Sequence, residues 1–330
     1  MKILVFEYIT GGGYSQQEIP ESLAREGRLM LLALLQNLLL LQDVELVLML
    51  DERFKDLAGH AKIKILLQDQ NQNCLQAFKQ NCQLCDAVWP IAPEFKQILQ
   101  AYCQLVEDAG KVLLTSTAKV VALTADKFLT WQQLKRFKIP TPDTYLLDSF
   151  DYSPGNWIVK PIDGVGCIDN HIIQNQDEFN NVVALLHKSQ FIIQAHHVGQ
   201  KTSLSCLFNK GEARLICVNQ QVFSIVHQQY HLIACQVNYP AVNNNYLTLL
   251  QKIANAFPEL WGYAGVDLIE TPGQIEVLEI NPRLTTSFVG IYEALGLNVA
   301  EMVLQLRMNL PLTTPTQNKT ITVNLLNHHA

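Results

Sequence analysis

The chain has 330 residues, 48% of them hydrophobic and 16% charged, with a formal net charge of −6. That length accommodates two or three domains with sizeable cores, and that balance excludes an intrinsically disordered chain. An acidic total also argues against binding to a nucleic-acid backbone, which calls for a basic face, but a few placed cations suffice for small anionic substrates.

The opening residues Met1-Lys2-Ile3-Leu4-Val5-Phe6 read as a buried strand over 2–8 and imitate a secretory signal only until Glu7. Thr10-Gly11-Gly12-Gly13-Tyr14 follows. Three glycines after a strand let backbone approach a ligand closely, although a flexible turn is the plainer account. Pro20 opens a helix from Glu21 to about Leu41. Its apolar run over 29–41 is broken by Gln36 and Asn37 and is shorter than a membrane span, so a soluble, cytoplasmic protein with no membrane partner is expected. Strands at 44–50, 87–89 and 111–114, alternating with helices, predict a parallel α/β sheet over residues 1–113. Ligands of such sheets bind at the carboxyl ends of the strands, where Glu7, the three glycines, Asp51 and Glu94 fall. Among eight cysteines, Cys82-x-x-Cys85 is the one close pair. Without a second pair at ligand spacing, buried thiols explain it better than zinc.

A helix from about Ala125 to Phe137 carries Asp126-Lys127 at its start. The strand Trp157-Ile158-Val159-Lys160-Pro161 then runs into Asp163-Gly164-Val165-Gly166-Cys167. A lysine at a strand end before a glycine turn offers a cation and free amides to a phosphate, and it is easily solvated there. The loop fits neither the Walker nor the Rossmann pattern. A helix over 177–186 and a strand over 191–195 follow. The remainder is mainly β, with strands at 203–208, 213–218, 222–226, 231–237, 263–269 and 274–280 and helices at 246–257 and 298–307. The expected units are 1–113, 114–190 and 191–330. His227 and His231 would share a face only on a helix, so a metal role is not expected of them, and His328-His329 read as solvated ends.

Residues 276–287 organise the chain. Ile275, Val277 and Ile280 alternate with acids until Pro282 ends the strand. Thr271-Pro272-Gly273 separates this run from the apolar run 263–269, which predicts a hairpin with Asp267 facing Glu279. Asp267, Glu279 and Asn281 form a set of hard oxygens suited to Mg²⁺ or Mn²⁺ alongside nucleotide phosphates. A lone Glu-x-Asn would be read as a solvated surface hairpin.

Taken together, Lys127, Lys160 with its glycine loop, Gln194 ending a strand, and Asp267…Glu279-x-Asn281-Pro282-Arg283 resemble the ATP-grasp superfamily over about residues 115–290. The resemblance implies a mixed α/β and α+β fold: an N-terminal parallel α/β (pre-ATP-grasp) domain, a small lid subdomain and a larger mixed-sheet C-terminal subdomain. It implies ATP between the two lobes, with Lys127 and Lys160 on its phosphates and the loop of Gly164 and Gly166 closing over them. Gln194 and His197 would line the nucleotide, and Asp267, Glu279 and Asn281 would ligate Mg²⁺. Lys160 and Arg283 take the catalytic roles. One departure stands out: the segment 194–201, where a ribose-binding carboxylate is usual, has none.

Further segments, Glu7-Tyr8-Ile9-Thr10-Gly11-Gly12-Gly13, Ser22-Leu23-Ala24-Arg25-Glu26-Gly27-Arg28 and Asn281-Pro282-Arg283-Leu284-Thr285-Thr286-Ser287, look like the tyramine–glutamate ligases of methanofuran biosynthesis. That likeness implies amide formation between glutamate and tyramine or tyrosine through an acyl phosphate. By charge, Glu7 and Glu94 beside Gly11, Gly12 and Gly13 suit the ammonium of the amine, and Arg283, Thr285 and Thr286 suit the carboxylate. The expected partners are small molecules, with no nucleic acid, and a homodimer is compatible with the sequence. A phosphotransferase would share the same lysines and metal set, and a non-catalytic nucleotide sensor would tolerate the missing carboxylate.

Overall fold

A computed structural model of the chain describes residues 1–166, 168–240 and 245–325. Cys167 and the His328-His329 pair lie outside the described residues. Strands β1 (Lys2–Glu7), β2 (Glu45–Asp51), β3 (Ile63–Gln68), β4 (Ala87–Ile91) and β5 (Val112–Leu113) form a parallel sheet in the order β3-β2-β1-β4-β5. Continuous apolar runs such as Ile3-Leu4-Val5-Phe6 suit a sheet covered on both faces. Helices α1 (Glu21–Leu39), α2 (Cys74–Gln83) and α3 (Ile98–Asp108) accompany it.

The sequence reading left 52–86 without elements. The edge strand β3 was hard to see because Lys64 and Leu67 are exposed and its alternation is irregular. β4 also runs on through Pro90 to Ile91, where its pairing with β5 has already ended, so a residue without an N–H is tolerated. Cys82 and Cys85 are buried in the core beside Phe78 and Val88, as expected of structural thiols.

Asn37, which interrupts the apolar run of α1, is 3% exposed and fully used. Its side chain donates to Ala33 O at 2.9 Å and accepts from Val299 N at 3.1 Å, while Asn298 Nδ2 donates to Asn37 O at 2.8 Å. A buried amide is stable only when so satisfied, and here it ties α1 to the start of a C-terminal helix.

The helix expected over 125–137 is α5 (Lys127–Arg136), and it is preceded by a helix that the sequence did not suggest, α4 (Ala118–Ala125). Asp126 separates them with an extended backbone and caps α5, its Oδ1 accepting from Phe128 N and Leu129 N. Lys127 is thereby fixed in the first turn. An antiparallel sheet follows in the order β6-β9-β7-β8: β6 (Thr144–Leu146), β7 (Trp157–Pro161), β8 (His171–Ile173) and β9 (Phe191–Ala195), with α6 (Gln176–Leu185). The expected boundary at 190/191 therefore falls too early. β9 pairs with β6 and β7, so this sheet extends to Ala195.

The third sheet has the order β14-β13-β10-β11-β12-β15, built from β10 (Gln200–Asn209), β11 (Glu212–Val226), β12 (Gln229–Val237), β13 (Gly262–Thr271), β14 (Gln274–Asn281) and β15 (Ile321–Asn324). β11 is one long strand where two were expected, with its irregularity at Val222/Phe223. Pro272-Gly273 joins β13 to β14, and Gly273 at φ 87° meets the positive-φ demand of a type II turn. Helices α7 (Tyr246–Ala256), α8 (Phe288–Leu295) and α9 (Val299–Met308) complete the unit. The core of α8 and α9 is continuous with that of α1, through Leu31, Leu34, Ile291, Val299 and Val303, which locks the first and third sheets together. Among the described residues no single helix is long and apolar enough to cross a membrane. The pair α8 and α9 is bent by 95° and is largely buried in that core.

Candidate active site

The β13–β14 hairpin sets the geometry. Asp267 pairs with Glu279, as expected, and Gly265 with Asn281; a bulge between Asp267 and Leu268 shifts the register set by the turn and brings these pairs opposite each other. Asp267 accepts from Gln221 Nε2 at 3.2 Å and from Asn281 Nδ2 at 3.3 Å. Burial, and then the Glu279 charge opposite, push the Asp267 carboxyl well above the usual carboxylate range. Burial would raise Glu279 as well, but Lys127 and Lys160 outweigh it and hold that carboxyl low, at about 2. Lys127 Nζ lies 3.3 Å from Glu279 Oε2 and donates to Gly164 O at 2.6 Å, so one ammonium joins the hairpin to the glycine loop.

Lys160 departs from expectation. It is 7% exposed, not solvated, because it lies on β7 between β8 and β9. Its Nζ donates to Gln194 Oε1 at 2.8 Å, and Gln194 Nε2 donates to Thr144 Oγ1 at 2.8 Å. Thr144 in turn donates to Pro142 O at 3.0 Å. This relay orients the Gln194 amide and, through it, the ammonium. Thr144 was not anticipated, since its short strand carries no motif.

His197 Nδ1 donates to Glu276, a buried acid at the start of β14. This acid lies 79 residues further along the chain, and it orients the His197 ring. His196 Nε2 hydrogen-bonds the Tyr230 hydroxyl at 2.8 Å, and burial lowers its pKa to about 4, leaving the ring neutral. Lys201 Nζ stands 4.1 Å from the Tyr230 ring centroid, a cation–π contact. His196, His197, Lys201 and Tyr230, with Gly164, Gly166, Asp267, Glu279 and Asn281, line a cavity of about 170 Å³ between the second and third sheets. Gln221 and Tyr230 are not legible as site residues because their places depend on sheet order, and Glu26 because α1 reaches the cavity only through packing between domains.

Arg283 closes one end of this cavity. Its Nη2 donates to Glu94 Oε2 at 2.8 Å and its Nη1 to Leu284 O at 2.9 Å, while Nε is buried without a partner among the described residues. Burial pulls the guanidinium pKa down, but Glu94, Glu26 and Glu279 together leave it raised. Thr285 and Thr286 line the same cavity. Thr285 Oγ1 also joins a hydroxyl cluster with Tyr263 at 3.0 Å and Ser287 at 2.9 Å.

The N-terminal substrate assignments need correction. Glu94 is paired with Arg283 through Oε2, its Oε1 is buried without a partner among the described residues, and it lines neither this cavity nor the smaller one beside it. Glu7 turns back on its own loop, accepting from Ile9 N at 3.1 Å and from Thr10 N and Oγ1 at 2.7 Å each. Gly11, Gly12 and Gly13 line neither this cavity nor the smaller one beside it. Their close approach is to their own domain: a Cβ on Gly11 would lie 2.6 Å from Glu7 O and 2.7 Å from the Phe6 ring. Gly11→Ala should therefore lower stability by about 1–3 kcal/mol through overpacking, with substrate KM values unchanged in the folded fraction. Urea denaturation with parallel kinetics checks this.

The residues present fit a divalent ion. Two half-buried carboxylates opposed across a hairpin repel one another unless a proton or cation lies between them, and desolvation and then that repulsion push the Asp267 carboxyl up. Asp267, Glu279 and the Asn281 carbonyl oxygen are hard donors of the kind Mg²⁺ prefers, with room left for other oxygen ligands. Among the described residues no cluster of three His, Cys, Asp or Glu side chains offers an alternative.

Fold and site together define a nucleotide-binding protein in which a small antiparallel lobe faces a larger sheet across a cleft. The ATP-grasp domain model matches residues 124–287, and the pre ATP-grasp 3 domain model matches 44–121. The chain belongs to the ATP-grasp superfamily. It is 26% identical to the tyramine–L-glutamate ligase of Methanocaldococcus fervens over 98% of this chain and 99% of that one. It is 25% identical to the Methanocaldococcus jannaschii protein of the same name, over 88% of this chain and 84% of that one. Among solved structures, a putative ATP-grasp superfamily protein from Archaeoglobus fulgidus matches with a TM-score of 0.72 and 21% identity, covering 98% of this chain and 92% of the other. By class, the chain is an ATP-grasp ligase.

Proposed function

We propose that the chain joins a carboxylate to an amine at the expense of ATP, releasing ADP and phosphate. Glutamate is the activated acid, and tyramine or tyrosine is the acceptor, as in biosynthesis of a methanofuran-type one-carbon carrier. The observation that carries the class of chemistry is the convergence of Lys127, Lys160, Asp267, Glu279, Asn281 and Arg283 on one cavity. The names of the relatives support the substrates.

A carboxylate is a poor acyl donor because its oxide does not leave. When ATP and Mg²⁺ are bound, they supply transfer of the γ-phosphoryl group to that carboxylate, making it open to attack by an amine. The residues of the chain position the reactants and neutralise charge. Lys127 and Lys160 would hold phosphate oxygens, and Asp267, Glu279 and Asn281 would hold the metal. The loop of Gly164 and Gly166, which lines the cavity, would cover the phosphates and exclude water. Arg283, held in place by Glu94, presents fixed positive charge where oxyanion character develops. Thr285 and Thr286 add hydroxyl donors for the acid.

The test is incubation with ATP, Mg²⁺, glutamate and a panel of amines, read by mass spectrometry. Glutamyl-tyramine or glutamyl-tyrosine, formed with stoichiometric ADP, is expected. A phosphorylated small molecule without amide would place the chain among phosphotransferases. Preference for simple aliphatic amines or a second glutamate over both aromatic acceptors would overturn the substrates and leave the ligase class.

A further inference from the structure

A second cavity, of about 70 Å³, opens on the other side of Arg283. Its walls are mostly apolar: Ile9, Leu23, Met30, Ile91, Phe95 and Val165. They come from the carboxyl end of the parallel sheet, from α1 and from the glycine loop. Glu26, Gly166 and Arg283 line this cavity and the larger one alike, so the two meet at those residues. Two acids border the small cavity, and they differ in state. Glu7 has its oxygens engaged by Ile9 and Thr10. Glu26 accepts one long hydrogen bond, 3.5 Å, from Thr286 Oγ1, and stands at the junction.

We propose that the small cavity receives the amine acceptor, with its apolar portion against the aliphatic wall and its nitrogen at Glu26, which takes up the ammonium proton. The proposal rests on the ligase reading above and names the acceptor site within it. Glu26 takes this role in place of Glu7, whose oxygens are held by Ile9 and Thr10, and of Glu94, which does not line the cavity.

The chemistry requires such a group. An ammonium has no lone pair, so one proton must leave before the nitrogen attacks the activated carbonyl carbon. The C–N bond then forms, the C–O bond to phosphate breaks, phosphate departs with that electron pair, and the nitrogen sheds a second proton. Burial raises the Glu26 carboxyl, while Arg283 and Thr286 temper the shift, so its carboxylate is a stronger base than an exposed glutamate. The apolar wall would favour an amine with a hydrophobic body over ammonia.

Two variants and one partial reaction test this. Hydroxylamine intercepts acyl phosphates without needing the acceptor cavity, giving a hydroxamate from glutamate and ATP. Glu26→Gln is expected to lower kcat/KM for tyramine by roughly a hundredfold, the usual effect of losing a general base, and hydroxamate formation should fall far less. Leu23→Trp, which fills the cavity from α1, should raise the tyramine KM about tenfold or more, the loss of a well-buried apolar contact, with KM for ATP and glutamate unchanged. Equal losses with tyramine and hydroxylamine in Glu26→Gln, or an unchanged tyramine KM in Leu23→Trp, would overturn the assignment. Wild-type enzyme that forms no hydroxamate from any acidic amino acid would overturn the ligase reading itself, a result distinguishable from failure of the acceptor site alone.

Discussion

Glu279→Gln is expected to lower ATP-dependent turnover by about a hundredfold or more, the scale seen when a fixed electrostatic element is lost, while the fold remains intact. Glu279 is the carboxylate that both site lysines stabilise, and Lys127 lies 3.3 Å from it. The substitution keeps size and hydrogen-bonding capacity but removes the charge, and with it the strongest donor for a divalent ion. The folded state loses one ion pair, yet it also loses the repulsion that raises the Asp267 carboxyl. These effects oppose each other, so thermal stability should move little. Mn²⁺ binding followed by electron paramagnetic resonance should weaken in parallel with turnover. Wild-type turnover with an unchanged Mn²⁺ titration would remove Glu279 from the metal set.

Lys160→Met should weaken ATP binding by about ten- to a hundredfold, corresponding to a charge-assisted hydrogen bond of roughly 1.5–3 kcal/mol. It should also destabilise the protein, contrary to what a solvated strand-end lysine would suggest. Gln194 Oε1 loses its donor in a buried position, which costs about 1–3 kcal/mol. Calorimetric titration with ATP and a urea melt separate the two effects. Unchanged affinity would refute the phosphate role, whatever the melt shows.

The legible parts of this fold were those whose signal is local. Ile275, Val277 and Ile280 around Thr271-Pro272-Gly273 specify a hairpin that brings Asp267 and Glu279 onto facing strands, while the bulge at Asp267/Leu268 that sets them directly opposite is not legible locally. Lys160 was placed on its strand by the run Trp157-Ile158-Val159, but not its burial, which depends on β9 and β8 flanking that strand. The carboxylate facing His197 was illegible for a similar reason. Glu276 is remote in sequence, and only the sheet brings it there.

The N-terminal domain shows the opposite failure, where a local signal misled. Gly11, Gly12 and Gly13 follow a strand whose end faces the cleft, a pattern that suggests a ligand turn. Their lack of side chains instead lets the loop pack on Phe6 and Tyr8, and Glu7 caps that same loop. Acids at strand ends are candidates for ligand binding only after their internal partners are known. Glu94 illustrates this through Arg283, 189 residues distant along the chain.

The most direct test of the central claim follows one oxygen atom. Glutamate labelled with ¹⁸O in its carboxylates is incubated with ATP, Mg²⁺, tyramine and the protein, and the released inorganic phosphate is examined by mass spectrometry. If the activated carboxylate oxygen bonds to the γ-phosphorus and leaves with it when the amine attacks, each phosphate carries one ¹⁸O atom and each amide one fewer than the glutamate supplied. Amide formed with unlabelled phosphate would contradict acyl-phosphate activation, and a phosphorylated product in place of amide would contradict the ligase assignment.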